Sequence, residues 1–171
     1  MTPLENPAGN YVPESVLSRE RRLGLIESIE SFPGKLRELV AKLSPGQLDF
    51  KYRNWTARQI VHHIADSHLN AYVRTKLALT EDRPTIKPYN ESRWSALPDA
   101  VAMDVEVSLK LIEALHTRWG MVWRNMSDQD FEKGYFHPEL GRTVGLGEVL
   151  GLYDWHARHH AAMIDWIRSN R

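Results

Sequence analysis

The stretch 148–167, EVLGLYDWHARHHAAMIDWI, decides how the chain folds. Its apolar side chains Val149, Leu152, Tyr153, Met163, Ile164 and Ile167 stand at offsets 0, 3, 4, 14, 15 and 18 from Val149. That is the spacing of one face of an α-helix. The offsets missing from this face, 7 and 11, are His156 and His160. Two imidazoles four residues apart lie one turn from each other on the same side of a helix. A helix from Glu148 to about Ser169 is therefore expected, with two polar rings in the middle of its buried stripe. Buried polar groups need partners, so other parts of the fold must meet these rings. His159 falls about 80° off the axis of the stripe, and Arg158 points to solvent.

Three more helices are expected upstream. Val16, Leu23, Ile26, Ile29, Leu36, Leu39, Val40 and Leu43 are mostly three, four or seven apart. They predict a helix from near Ser15, with a kink or break at Pro33-Gly34 and the axis roughly continuing past it. Thr56 is a good N-cap for a second helix reaching about Leu79. A third runs from Asp104 to about Met126, with Val105, Leu109, Ile112, Leu115 and Trp119 inward and Gly120 at a close approach. Residues 1–13, with Pro3, Pro7 and Pro13, read as an extended strap. Residues 80–102 read as a long ordered loop, of the kind that often carries function. A short segment from Ser127 to Phe131 follows the third helix. Residues 134–145 read as a small hairpin turning at Pro138–Gly141. The expected fold is all-α: an up-down four-helix bundle with long loops and a small hairpin before the last helix, forming one domain over residues 1–171.

Composition narrows the function classes. The 171 residues are 42% hydrophobic, enough for one sizeable core and too many for a disordered chain. The 22 basic and 22 acidic residues balance, and no basic patch suggests nucleic acid. The absence of cysteine excludes disulfides, thiolate metal sites and cysteine nucleophiles. Residues 1–7 have neither the basic nor the apolar region of a signal peptide, and no apolar run approaches the roughly 18 residues of a membrane span. A cytoplasmic protein without membrane contact is expected.

The second helix offers a third imidazole. Around Ile60 on a helical wheel, Ile64, Ser67, Ala71 and Ala78 cluster within about 40°. His63 lies about 60° to one side and heads a polar stripe of Ser67, Asn70 and Arg74. His62 points nearly opposite, with Leu69 and Val73. His63, His156 and His160 thus form a candidate ligand set for one divalent metal ion, with an open position as in catalytic sites. Zinc is the first expectation; nickel, iron(II), manganese and cobalt also suit nitrogen donors. His159 and Asp66 are candidates for moving protons, and Ser67, Asn70 and Arg74 for binding substrate. His68 could border the site. Trp55 and Trp94 could close over a pocket. His116 and His137 read as structural, and Glu148 and Asp154 as solvated charges or caps, with acceptors behind the ligands or bases as the alternative. The absence of a His-Glu-x-x-His motif removes the usual zinc-protease base.

Three segments carry a family resemblance: WTARQIVHHIADSH over 55–68, RPTIKPY over 83–89 and GLYDWHARHH over 151–160. Together they resemble the DinB-like superfamily, and most closely its YfiT-type branch of metal-dependent hydrolases, also described as bacillithiol transferases. The resemblance spans nearly the whole chain. It implies a four-helix bundle, a homodimer, and one divalent zinc or nickel ion held by three histidines. The second histidine of the family's His-His pair falls on His63, and its last-helix ligands fall on His156 and His160. A further family histidine, which is not a ligand, is replaced here at Ala162-Met163.

Three functions fit these readings. One is a metal-dependent hydrolase of a small molecule. The second is a metal-dependent S-transferase joining a low-molecular-weight thiol, bacillithiol-like, to an electrophile, with the Ser67, Asn70 and Arg74 stripe holding the thiol's carboxylates. The third is a non-catalytic metal-binding stress-response bundle.

Overall fold

A computed structural model describes residues 2–14 and 16–171. The expected start of the first helix at Ser15 lies outside the described residues. In chain order the elements are α1 (Arg19–Val40), α2 (Pro45–Leu48), β1 (Lys51–Tyr52), β2 (Trp55–Thr56), α3 (Ala57–Thr80), α4 (Glu91–Trp94), α5 (Pro98–Ala102), α6 (Val105–Arg124), α7 (Asp128–Glu132), β3 (Gly134–His137), β4 (Arg142–Gly145) and α8 (Leu146–Asn170). Four long helices, α1, α3, α6 and α8, form the bundle. No described helix is long and apolar enough to cross a membrane.

Local chemistry sets the helix starts. The Ser18 hydroxyl accepts the Arg21 N–H at the start of α1. Thr56 and Gln59 form a reciprocal capping box at the start of α3. The Asp104 carboxylate accepts the Glu106 N–H at α6. The hairpin pairs Gly134 with Gly145 and His137 with Arg142, and Gly141 turns it at φ +63°. It hands directly into α8, which begins two residues before Glu148. Gly120 sits where a Cβ would come within 2.5 Å of the Glu30 carboxylate, so the expected close approach there is between α6 and α1.

Pro33 does not break α1, which runs unbroken through it. Lacking an N–H, Pro33 cannot bond the carbonyl four residues back, that of Ile29. His116 of α6 takes that carbonyl instead, its Nδ1 lying 2.7 Å from the Ile29 oxygen. A helix tolerates proline where another group meets the carbonyl that proline frees.

The four long helices form the expected bundle, but their directions do not alternate strictly. At one end Leu36 and Val40, late in α1, pack with Ile60 and Ile64, early in α3, with Leu109 and Ile112, early in α6, and with Ile164 and Ile167, late in α8. At the other end Leu25 and Ile26 meet Tyr72 and Ala78, Trp119 and Trp123, and Leu146 and Val149. So α1 and α8 run one way, and α3 and α6 the other. Each of α1 and α3 packs against both α6 and α8, which places α1 and α3 on one diagonal. Neighbours α3 and α6 are therefore parallel. The 24 residues of α3 span roughly 36 Å at about 1.5 Å per residue, and the chain must return that distance before α6 can start.

Residues 81–104 make this return, and the expected long loop carries two short helices, α4 and α5. At its start the segment adds to the hairpin, with Ile86 N–H donating to the Phe136 carbonyl at 3.1 Å. Arg74 then holds the Lys87 carbonyl at 3.2 Å, Gln59 the Ser95 carbonyl at 2.8 Å, and Arg58 the Met103 carbonyl at 3.0 Å. The segment thus lies along α3 from its end back to its start.

Candidate metal centre

α3 brings His63 inward and α8 brings His156 and His160. The α8 stripe is centred as expected on Val149, Tyr153, Ile164 and Ile167, with Leu150 and Ala157 also buried and Leu152 and Met163 nearer its edges. His156 Nε2 lies 3.2 Å from His63 Nε2 and 3.1 Å from His160 Nε2. Among the described residues, these three form the one group of three or more His, Asp or Glu side chains close enough to share an ion, with donor atoms all within 4.8 Å of one another.

The donor set fits a divalent ion. Nitrogen ligands at about 2.0–2.1 Å from a tetrahedral ion stand about 3.3–3.4 Å apart, close to the two separations from His156, and the whole set lies within 4.8 Å. Burial favours the uncharged rings: His63 is held down to about 4, first by burial and then by His159, and His156 and His160 lie well below the ordinary histidine value, burial again being the main cause. Neutral rings turned nitrogen to nitrogen offer lone pairs to a common point. The His160 Nδ1 is buried without a partner, so this ring is held by packing and by what its Nε2 meets. Among the described residues no hydrogen bond joins a carboxylate to any of the three rings.

The β1–β2 turn, absent from the sequence reading, sets the wall. It places Trp55 directly before the α3 cap, with its ring 4.5 Å from that of His63 and 6.3 Å from that of His160. Trp94 is exposed and packs on Tyr89, with centroids 4.5 Å apart. Of the two expected to close over a pocket, only Trp55 touches the imidazoles.

The remaining candidates are placed as follows. His62 is buried, bonded to Ser108 at 2.7 Å and to the Met103 carbonyl at 3.2 Å, so it ties α3 to α6 and the loop. His159 stacks on Trp155 at 4.7 Å, with a buried, unpartnered Nδ1, and its ring is 5.1 Å from that of His160. Asp66 is pushed up to about 6, by burial first and then by Asp99. No hydrogen bond joins its carboxyl to a described histidine. The Ser67 hydroxyl faces the Tyr153 hydroxyl at 3.4 Å. Asn70 turns its amide back to the Asp66 carbonyl at 2.9 Å. Arg74 is engaged with the loop, over the Tyr89 ring. Glu148 and Asp154 pair with Arg142 at 2.6 Å and Arg158 at 2.9 Å, and Asp154 is buried rather than solvated. His137 sits in the hairpin with its Nδ1 unpartnered.

Three further groups stand beside the centre: His68, which the sequence offers as a residue bordering the site, and His116 and Tyr89, which it does not place there. His68 and His116 are fully buried and join in a chain: His156 Nδ1 to His68 Nε2 is 3.1 Å, and His68 Nδ1 to His116 Nε2 is 2.8 Å. The Tyr89 hydroxyl is buried near Glu91, Ser67, Tyr153 and Asp66 without a hydrogen bond of good geometry. The tyrosine lies in the irregular stretch just before the Asn90 cap of α4, where sequence gives no register against α3.

A helical bundle with three imidazoles converging from its second and fourth long helices is the arrangement the family resemblance implies. Residues 29–164 match the profile of the DinB superfamily, and the chain belongs to that family. Over 163 residues it is 44% identical to YfiT of Bacillus subtilis, which is provisionally named a metal-dependent hydrolase, covering 94% of this chain and 92% of YfiT. A protein of Bacillus thuringiensis subsp. konkukian with the same provisional name is 44% identical over 171 residues, covering 99% of this chain and 98% of its own. The solved YfiT structure, described as a four-helix bundle of unusual topology, superposes with a TM-score of 0.92 at 43% identity, covering 95% and 94% of the two chains. A mycothiol-dependent maleylpyruvate isomerase shares the fold at TM-score 0.66 and 21% identity, covering 85% of this chain and 60% of its own.

Proposed function

We propose that the chain is a metal-dependent hydrolase acting on a small molecule, with one divalent ion held by His63, His156 and His160. The observation that carries this is the convergence of three neutral imidazole nitrogens in a chain 44% identical to proteins named for that activity. Zinc is the first expectation and nickel the second, since an all-nitrogen set admits both. Such an ion, when bound with an open position, acidifies water and polarises a substrate oxygen. The chain supplies the rest. Trp55 covers one side of the rings and excludes solvent there. Asp66, at about 6, can accept a proton near neutral pH. The unpartnered Tyr89 hydroxyl can donate to a polar group of the substrate.

A second reading, the thiol S-transferase, rests on the donor set being three neutral imidazoles with no carboxylate among them. An ion there keeps its full charge and favours an anionic fourth ligand, which a low-molecular-weight thiolate would be. The engagement of Arg74 and Asn70 within the fold weighs against their holding that thiol's carboxylates.

Metal-reconstituted protein assayed on a panel of small esters, amides and related electrophiles, with and without bacillithiol, mycothiol or glutathione, separates the two. Turnover without thiol supports the hydrolase. Product only with thiol overturns it in favour of the transferase. Metal content unchanged in all three single His→Ala variants would overturn the metal centre itself.

A further inference from the structure

We infer that Pro33, the Ile29 carbonyl, His116 and His68 form a tautomer-setting chain that fixes a bare lone pair on His156 Nε2, aimed at His63 and His160. Each proton along the chain is determined by the one before it. A carbonyl oxygen only accepts, so at 2.7 Å His116 must donate from Nδ1 to Ile29. Burial holds His116 near 4, so the ring is neutral and its Nε2 carries no hydrogen. His68 must therefore donate from Nδ1 across the 2.8 Å contact, leaving its own Nε2 as an acceptor. His156 must then donate from Nδ1 across 3.1 Å, which strips Nε2 of its hydrogen. The order depends on an acceptor inside a helix, where carbonyls are normally occupied. Pro33 provides it by having no N–H to give.

The chain ends on a neutral group that can neither take up nor release a proton. It can orient a ring but cannot carry protons away. It also differs from a carboxylate acting through a histidine in adding no negative charge to the centre. His68 and His116 are thus positioning residues. Their consequence for metal affinity rests on the ligand reading above; the tautomers themselves do not.

The test begins with metal-free wild-type protein and nitrogen-detected NMR of its histidine rings. His68, His116 and His156 are expected as Nδ1–H tautomers. An Nε2–H form at His68 or His156 would overturn the inference. In His116→Met the chain ends on a thioether, only a weak acceptor and no donor to Ile29, and zinc binding by chelator competition should weaken 10- to 100-fold, the usual range for a lost partner behind a ligand. His116→Gln can both donate to Ile29 and accept from His68, and should stay within about threefold of wild type. Equal zinc affinity in His116→Met and wild type would also overturn the inference. Should His116→Met not fold, the wild-type spectrum decides. Nδ1–H tautomers at all three rings in a wild-type protein that binds no zinc would instead reject the metal reading and leave the chain standing.

Discussion

The indole of Trp55 lies 4.5 Å from the imidazole of His63, at the point where a two-strand turn meets the cap of α3. The contact both packs the ring and covers one flank of the three nitrogens. Trp55→Ala should cost about 2 kcal/mol in urea unfolding, below the usual range for a fully buried tryptophan because Trp55 is partly exposed. Trp55→Phe should recover most of it. The same Ala variant should release zinc faster to a chelator, measured by stopped flow.

A ligand that binds only the folded chain raises its melting temperature. Zinc at about a hundredfold excess over its Kd should add about 2.7 kcal/mol, or roughly 5–10 °C for a chain of this size. In calorimetry, His63→Ala, His156→Ala and His160→Ala should each lose that shift. A full shift in any one of them would remove that residue from the ligand set.

The depressed value of buried His116 makes a pH prediction for the metal-free protein. In the unfolded chain this ring titrates near about 6.5, and in the fold near 4. Between these values the unfolded state binds a proton that the folded state does not. Stability from this group is therefore complete above about pH 6.5 and is lost as pH falls toward 4, by up to about 3 kcal/mol. The unfolding free energy measured across this window should fall less steeply in His116→Met, by about one proton. An identical slope would show that His116 is charged in the fold.

Tyr89→Phe should not destabilise the fold. An unpaired buried hydroxyl costs about 1–3 kcal/mol, so its removal should leave the urea midpoint unchanged or higher. If the hydroxyl meets the substrate, KM should rise about tenfold, the worth of one hydrogen bond of about 1.4 kcal/mol. A lower midpoint with unchanged KM would assign Tyr89 to the scaffold alone.

Pro33→Ala returns an N–H to α1 and brings the Ile29 carbonyl back toward the helix axis. Helical propensity alone makes the variant as stable as wild type or more so. Zinc affinity should nevertheless fall severalfold, with the His116 Nδ1–H signal shifted. This split between stability and affinity is what a purely structural proline would not produce.

Much of this was legible in sequence because helices write their buried face as a period. His156 and His160 stood out as the two polar positions in an apolar stripe, and His63 as the inward member of its pair. The relation of His68 to His116 was not legible, since residues 48 apart meet only through packing of two helices. Pro33 read as a kink because sequence records the missing N–H but not the ring that answers the freed carbonyl. Strict up-down alternation failed at α3 and α6 for a similar reason. The length of residues 80–102 signalled a functional loop, but whether it doubles back or crosses the bundle depends on which helices pair. His62 was read as outward, whereas α6 and the crossing loop cover that side of α3.

The crossing segment 81–104 is an obligation of connectivity, since parallel neighbours cannot be joined by a tight turn. The chain must travel the length of α3, and in doing so it lays Tyr89 beside the stripe that His63 heads. Scaffold and recognition surface are thereby separable in heredity. If Tyr89 meets the substrate as proposed, mutations in the crossing segment change which molecules are admitted, while the three imidazoles, held by α3 and α8, keep their arrangement. Grafting this segment from one relative to another is the most direct route to altered selectivity in the lineage.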